Sequence, residues 1–244
     1  MDTNKSVTFD NPQAMECETN SFRLRLDNGL VTFEPKEHFP SVDSARRIAY
    51  DFLRAWELDV ALRLGRREIA FTFQDAHVVD RDPPPAGSVQ VSKLNSLGMA
   101  AVAGSLTLHV TRRRYPEPPK LFRSSPDVET LWQRFEGYLE SREPLPSMAY
   151  FCLTLIEAKA GGRNQAAKLY RINKDVLSKL GELTSQLGDG TTARKVNQGR
   201  ALTPLTPSEK GWIEATVKLV IRRVGEIDSD STLPLITMGD LPTL

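Results

Sequence analysis

Asp75, His77, Asp80 and Asp82 form the densest cluster of acid-base or metal-binding side chains in the sequence. An extended backbone would put Asp75 and His77 on one face, where a carboxylate beside an imidazole could relay a proton or hold a divalent ion. A turn at the end of a strand uses the same residue types, and nothing else in the chain reinforces the cluster. His38 and His109 are isolated, no H-x-x-x-H pair occurs, and neither Cys17 nor Cys152 has a histidine at metal-ligand spacing, so no metal site is expected. Neither G-x-S-x-G nor G-x-G-x-x-G is present, which removes the usual support for a hydrolase or a dinucleotide enzyme, and no motif asks for a cofactor. The stretch GDGTTARKVNQGR at 188–200 mixes glycines, hydroxyls and cations as a phosphate cradle would. It lacks the order of a P-loop and follows a helix where a strand is required, so it reads as a loop. Arg142, Glu143, Glu157 and Arg163 are placed to form ion pairs at a helix junction.

Composition narrows the classes further. The chain has 244 residues, 40% hydrophobic and 26% charged, which is ordinary for a folded protein and long enough for one large domain or two small ones at ~150 residues each. The formal net charge is +1, so any attraction to nucleic acid or anionic lipid must be local. No run reaches the ~18 consecutive apolar residues of a membrane span, and MDTNKSVTFDNPQ lacks the basic flank and apolar core of a signal peptide. Two distant cysteines make no disulfide framework, and Cys152, inside MAYFCLTLIEA, reads as a small buried hydrophobe. These features together place the chain in the cytoplasm and off the membrane.

The elements that would carry such side chains follow from periodicity. Residues 1–20 are polar without apolar rhythm and read as a mobile arm. Phe22, Leu24 and Leu26 alternate with Arg23, Arg25 and Asp27, then Asn28-Gly29 supplies a hairpin turn before Leu30, Val31 and Phe33. From 42 to about 64 the period changes, with Ala45, Ile48, Ala49, Phe52, Trp56 and Val60 on one face of a helix that Gly65 stops. IAFTF at 69–73, VQV at 89–91 and SLTLHV at 105–110 are strand candidates, and the proline-stiffened DRDPPP and YPEPPK are connections, the second a candidate domain boundary. Beyond Phe122 helices dominate. Ser125-Pro126 opens one with the stripe Val128, Leu131, Trp132, Phe135 and Leu139; a second runs through Met148, Phe151, Cys152, Leu155 and Ile156 to Gly161-Gly162. Thr206-Pro207-Ser208-Glu209 is a capping box that opens a last long helix with Ile213, Val217, Val220, Ile221 and Val224. Residues 228–244 form an irregular tail that packs irregularly or docks on something.

The strongest functional signal lies between Gly162 and Gly188. Ala166, Ala167 and Leu169 fit a short helix, Ile172 a turn, Asn173 a cap, and Val176, Leu177, Leu180 and Leu183 the apolar face of a second helix. This segment, 163–187, resembles the helix-turn-helix DNA-binding motif, with Ala167, Ile172, Asn173, Leu177 and Leu180 at its packing and capping positions. It departs from the motif at Arg171, where glycine is usual. The resemblance implies that Lys174, Asp175, Ser178 and Lys179 would face the major groove. From Lys159 to Arg200 nine basic residues stand against three acids, a local +6. The nucleic-acid-binding candidates are therefore Arg163, Lys168, Arg171, Lys174, Ser178, Lys179, Arg194 and Lys195. The run from SREPLPSMAYFCLTLIEA through TARK to LTPSEKGWIEA is also similar to bacterial proteins of unassigned function, which implies a bacterial setting and no particular activity.

The sequence thus predicts an α+β chain: a β-rich region with one long helix over 21–115, then an all-α region over 122–227. The expected role is non-enzymatic binding or regulation through protein or nucleic-acid contacts, with a homodimer compatible. A DNA-binding regulator using 163–187 is the more specific alternative, and an enzyme with its site at the junction of the two regions is the third.

Overall fold

The computed structural model describes residues 7–65, 67–73, 75–76, 110–186, 204–230 and 232–244. The fold is α+β, with a β-rich N-terminal region carrying one long helix and a helical C-terminal region. The chain divides into two compact units, 1–120 and 121–244, at the end of the YPEPPK stretch.

In the first unit, β3 (Phe22–Asp27) and β4 (Leu30–Pro35) form the antiparallel hairpin expected around Asn28-Gly29. Both turn residues are left-handed, with φ of 48° and 77°, which is the conformation a tight hairpin turn demands and the reason Asn-Gly serves there. Phe22, Leu24 and Leu26 are buried while Arg23 and Arg25 are exposed, so the strand's alternation is that of a sheet covered on one side. The helix α1 (Val42–Leu64) covers that side. It begins at a Ser41–Ser44 capping box and ends at left-handed Gly65, φ 74°. Leu53, Trp56 and Val60 join the hairpin residues, Ile69 and Tyr115 in one core; Ile48, expected on the inner face, is exposed.

Two expectations for this unit need correction. Much of the supposed arm is strand: β1 (Val7–Gln13) runs parallel to β5 (Val110–Arg114), and β2 (Met15–Glu18) pairs antiparallel with β3. Only one face of β2 is covered, with Met15 and Cys17 half-buried between exposed glutamates, and the partner of β1 lies far along the chain, so no local rhythm announces either. IAFTF carries no strand. Its Phe71 N–H donates to Glu57 Oε1 of α1 (2.5 Å) in place of a ladder bond. Of the third strand candidate, Val110 opens β5, while 105–109, VQV and DRDPPP lie outside the described residues.

The second unit is a helix bundle: α2 (Pro126–Leu139), α3 (Leu145–Ala160), α4 (Arg163–Leu169), α5 (Lys174–Gln186) and α6 (Pro207–Ile227), followed by a 3₁₀ turn at Met238–Asp240. The ends are as their caps dictate. Ser125 Oγ accepts from Val128 N–H (3.2 Å) with proline at the first helical position; Gly161 closes α3 with φ 83°; Thr206 and Glu209 cap α6 reciprocally. The predicted stripes converge, with Leu131, Trp132, Phe135, Cys152, Ile156, Leu177, Leu180, Ile213 and Val217 all fully buried and Trp212 beside them; Phe151 and Leu155 are half-buried, and Leu139, at the end of its helix, is exposed. Gly225 of α6 lets Phe122 lie against the helix, because a Cβ there would sit 2.4 Å from the Phe122 ring. Among the described residues, no helix is long and apolar enough to cross a membrane.

Candidate nucleic-acid interface

The α4–α5 pair joins two helices through a turn built on a left-handed arginine. Helix α4 ends in a Schellman closure, in which Ile172 N–H donates to Ala167 C=O (3.0 Å) and Arg171 N–H to Lys168 C=O (3.4 Å). That closure requires a left-handed residue, and Arg171 fills the place of glycine with φ 50°. Ile172 then turns into the core, only 1% exposed, and Asn173 Oδ1 accepts from Asp175 N–H (2.8 Å) to start α5. Val176, Leu177, Leu180 and Leu183 are buried beneath the pair as expected, whereas on α4 it is Ala166 that is buried, with Ala167, the expected packing position, half-buried and Leu169 exposed.

The candidate cations separate into three groups. Lys168, Arg171 and Lys174 are exposed around the turn, and Lys168 and Lys174 have no ion-pair partner among the described residues. Arg163 and Lys179 are engaged: Arg163 Nε meets Glu157 Oε1 at 2.5 Å and its guanidinium lies over Gly181 of α5, while Lys179 Nζ meets Glu182 Oε1 at 3.1 Å. Arg194 and Lys195 lie outside the described residues. Ser178 is half-buried one turn along α5 from Lys174. On α5 the charges of Lys174 and Lys179 stand beside those of Asp175 and Glu182, and among the described candidate cations the exposed ones are Lys168, Arg171 and Lys174, the edge around the turn. Such an edge can hold phosphate oxygens, whereas a neutral helix face offers little attraction beyond it.

Two features escaped the sequence reading. The irregular packing expected of the tail has a definite place, since residues 232–241 lie along the α4–α5 turn. Ile236 and Ile172 form a parallel bridge, with Ile236 N–H donating to Arg171 C=O (2.9 Å) and Asn173 N–H to Ile236 C=O (2.7 Å). Arg223 of α6, buried at 5% exposure, donates through Nη1 to Pro234 C=O (2.8 Å). Burial lowers the proton affinity of its guanidinium; Glu226 and Asp240 oppose the shift and Arg171 adds to it. The only sequence signal was the apolar spacing of Leu233, Ile236 and Leu241, which resembles no regular element. The other feature is a shallow groove in the first unit, where Arg46 stacks on Phe73 (4.1 Å to the ring centre) beside the exposed Tyr50.

The remaining chemical candidates do not assemble. Of the Asp75 cluster, His77, Asp80 and Asp82 lie outside the described residues, and Asp75 accepts from the N–H of Ala76 (2.8 Å). Among the described residues, no group of three or more His, Cys, Asp or Glu side chains is placed to hold a metal ion. The expected four-residue ion-pair cluster resolves into separate pairs, Arg142 with Glu140 (2.5 Å), Arg134 with Glu143 (3.5 Å) and Arg163 with Glu157. Cys152 is buried, and burial pushes its thiol up to about 12, which suits packing and not nucleophilic attack. Compared with known proteins, the chain matches no family model, no curated protein and no solved structure.

Proposed function

We propose that the chain acts by binding, with the α4–α5 pair as its contact surface and the phosphate backbone of a nucleic acid duplex as its ligand. The observation that carries this reading is the exposed edge of Lys168, Arg171 and Lys174 around a rigid helix-turn-helix turn. The neutral outer face of α5 gives the reading a definite form: affinity comes from a few phosphate contacts, with little discrimination between base sequences. Anisotropy of a labelled duplex with the full chain tests it. For about three phosphate contacts, log affinity should fall against log salt with a slope of about −2.7, and Lys168→Glu with Lys174→Glu should weaken binding at least tenfold, roughly. Absence of salt-dependent binding to duplex DNA and RNA alike at low salt would remove the reading.

A protein ligand is the second reading, favoured by apolar side chains left exposed in α4 and along the 232–244 segment: Leu169 at 49%, Leu235 at 47% and Met238 at 39%. A second copy of the chain is the simplest such ligand. Sedimentation would then show a concentration-dependent dimer that Leu235→Asp abolishes.

A further inference from the structure

We infer that residues 232–244 are a clasp that holds Arg171 in its left-handed conformation and thereby positions the cationic edge of the helix-turn-helix. A left-handed backbone disfavours a side chain bearing a Cβ by roughly tenfold or more, which is why glycine usually takes this place. Here the opposing contacts are all on the page. The Arg171 carbonyl accepts from Ile236 N–H (2.9 Å), and the N–H of Asn173, two residues on, donates back to Ile236 C=O (2.7 Å). The Arg171 side chain closes the same loop from the other direction, its Nε donating to Leu233 C=O (2.6 Å).

The clasp is itself anchored. Leu233, Ile236 and Leu241 are buried, Arg223 of α6 holds Pro234 C=O, and Thr237 N–H donates to Asp240 Oδ2 (2.8 Å) to close the 3₁₀ turn that follows. Without the segment, the carbonyl of Arg171 and the N–H of Asn173 lose their partners, and the guanidinium of Arg223 loses its carbonyl acceptor while remaining beside Arg171. Lys168 and Lys174 stand three residues to either side of Arg171, so its backbone angle fixes the spacing of the cations. Ile236 and Arg223 are thus positioning residues. The segment substitutes for the glycine that the motif lacks.

Glycine supplies the test. In the full chain, Ile236→Pro removes the N–H that reaches Arg171, and it should lower amide-exchange protection at Ile172 about tenfold while leaving Val217 in the middle of α6 unchanged. Adding Arg171→Gly should restore protection at Ile172, because glycine adopts the left-handed state unaided; adding Arg171→Lys should not. If Ile236→Pro prevents folding, Ile236→Ala weakens the anchor alone and should give a smaller loss with the same rescue by glycine. Unchanged protection at Ile172 in these variants, or rescue by lysine as readily as by glycine, would overturn the clasp.

The effect on ligand rests on the nucleic-acid reading, under which Ile236→Pro weakens duplex binding severalfold without changing the salt slope, since no cation is removed. Exchange that moves while affinity holds would overturn the positioning role. A chain that binds no duplex at all defeats the earlier reading, and the exchange data still decide the clasp.

Discussion

The three tryptophans mark how differently the two units are held together. Trp56, in the first unit, is fully buried and donates its indole N–H to Pro116 C=O (3.1 Å), 60 residues away along the chain. Trp132 and Trp212, in the second, are as deeply buried, yet their indole N–H groups have no partner among the described residues. The contrast extends beyond the rings. In the first unit Gly29 N–H donates to Tyr115 Oη (2.9 Å), Arg63 to Glu117 C=O (2.8 Å), and Arg112 Nη2 to the buried Glu68 carboxylate (2.9 Å). Such links join residues distant in sequence. In the second unit the core is largely apolar, its buried Thr184 and Thr216 bond within their own helices, and its remote polar links, Tyr138 Oη to Glu214 and Lys159 to Asp127 among them, lie at the margin of that core. The remote polar contacts of the first unit reach into its core, as at Trp56, whereas the two tryptophans of the second are held by apolar packing.

The two cysteines give the largest contrast, one per unit. Cys17, on the short outer strand β2, is half-buried, while Cys152 is wholly enclosed in α3 with its thiol held up to about 12. Burial raises Cys17 as well. A rise from 9.0 to about 12 lowers the Cys152 thiolate population roughly a thousandfold near neutral pH. Iodoacetamide on the native chain should therefore modify Cys17 first and by a wide margin, because Cys152 is both enclosed and the less ionised, as peptide mass spectrometry would show. Equal rates would mean that α3 opens as readily as a sheet edge. The next largest effect is expected at Arg112. Glu68 is only 1% exposed in its side chain, and Arg112→Met would remove this cation from its carboxylate, a loss of about 1.5–3 kcal/mol from the first unit. Urea unfolding followed by Trp56 emission measures it, and a loss under 1 kcal/mol, roughly, would show that the remote links contribute little.

The same contrast explains what could be read from the residues alone. The second unit's helices, their caps and their buried stripes follow from spacings of three and four and from Ser125, Asn173 and Thr206, all local in sequence. The hairpin and α1 were legible for the same reason. The pairing of β1 with β5 was not, because its register joins Val7 to Val110 and no window contains both. IAFTF misled because its alternation of apolar and polar residues is real, yet a glutamate of α1 takes the Phe71 N–H. At the candidate interface the helix pair was visible but its charge was not. A count of lysines and arginines cannot show that Glu157 and Glu182 engage Arg163 and Lys179. Nor could Arg171 be judged from type alone, since its partners, Leu233 and Ile236, are some sixty residues further on.

Within the second unit, the apolar packing can be challenged at Gly225. An alanine there would put its Cβ 2.4 Å from the ring of Phe122 and 2.9 Å from the Arg123 carbonyl, whose own N–H donates to Gly225 C=O (2.7 Å). The ring has to move and the hydrogen bond with it, so Gly225→Ala is expected to destabilise the unit by about 1–3 kcal/mol in spite of alanine's better helix propensity. Adding Phe122→Leu should recover part of that loss, which denaturant unfolding of the single and double variants would resolve.

The smallest effect is the most direct test of the tryptophan contrast. Phenylalanine in place of Trp56 removes a hydrogen bond and leaves the Pro116 carbonyl short of a donor; in place of Trp132 it removes a buried N–H that had no partner among the described residues. Both changes shrink an aromatic ring in a packed core, so the packing losses are comparable and the polar terms differ. An unsatisfied buried donor is unfavourable by about 1–3 kcal/mol, and a typical hydrogen bond stabilises by about 1 kcal/mol. Trp56→Phe should therefore be the more destabilising of the two by about 1–2 kcal/mol. Thermal unfolding of each variant measures the difference, and its sign matters more than its size. A greater loss at Trp132 would mean that ring shape outweighs the polar term, and that the apolar unit is the more exactingly packed of the two.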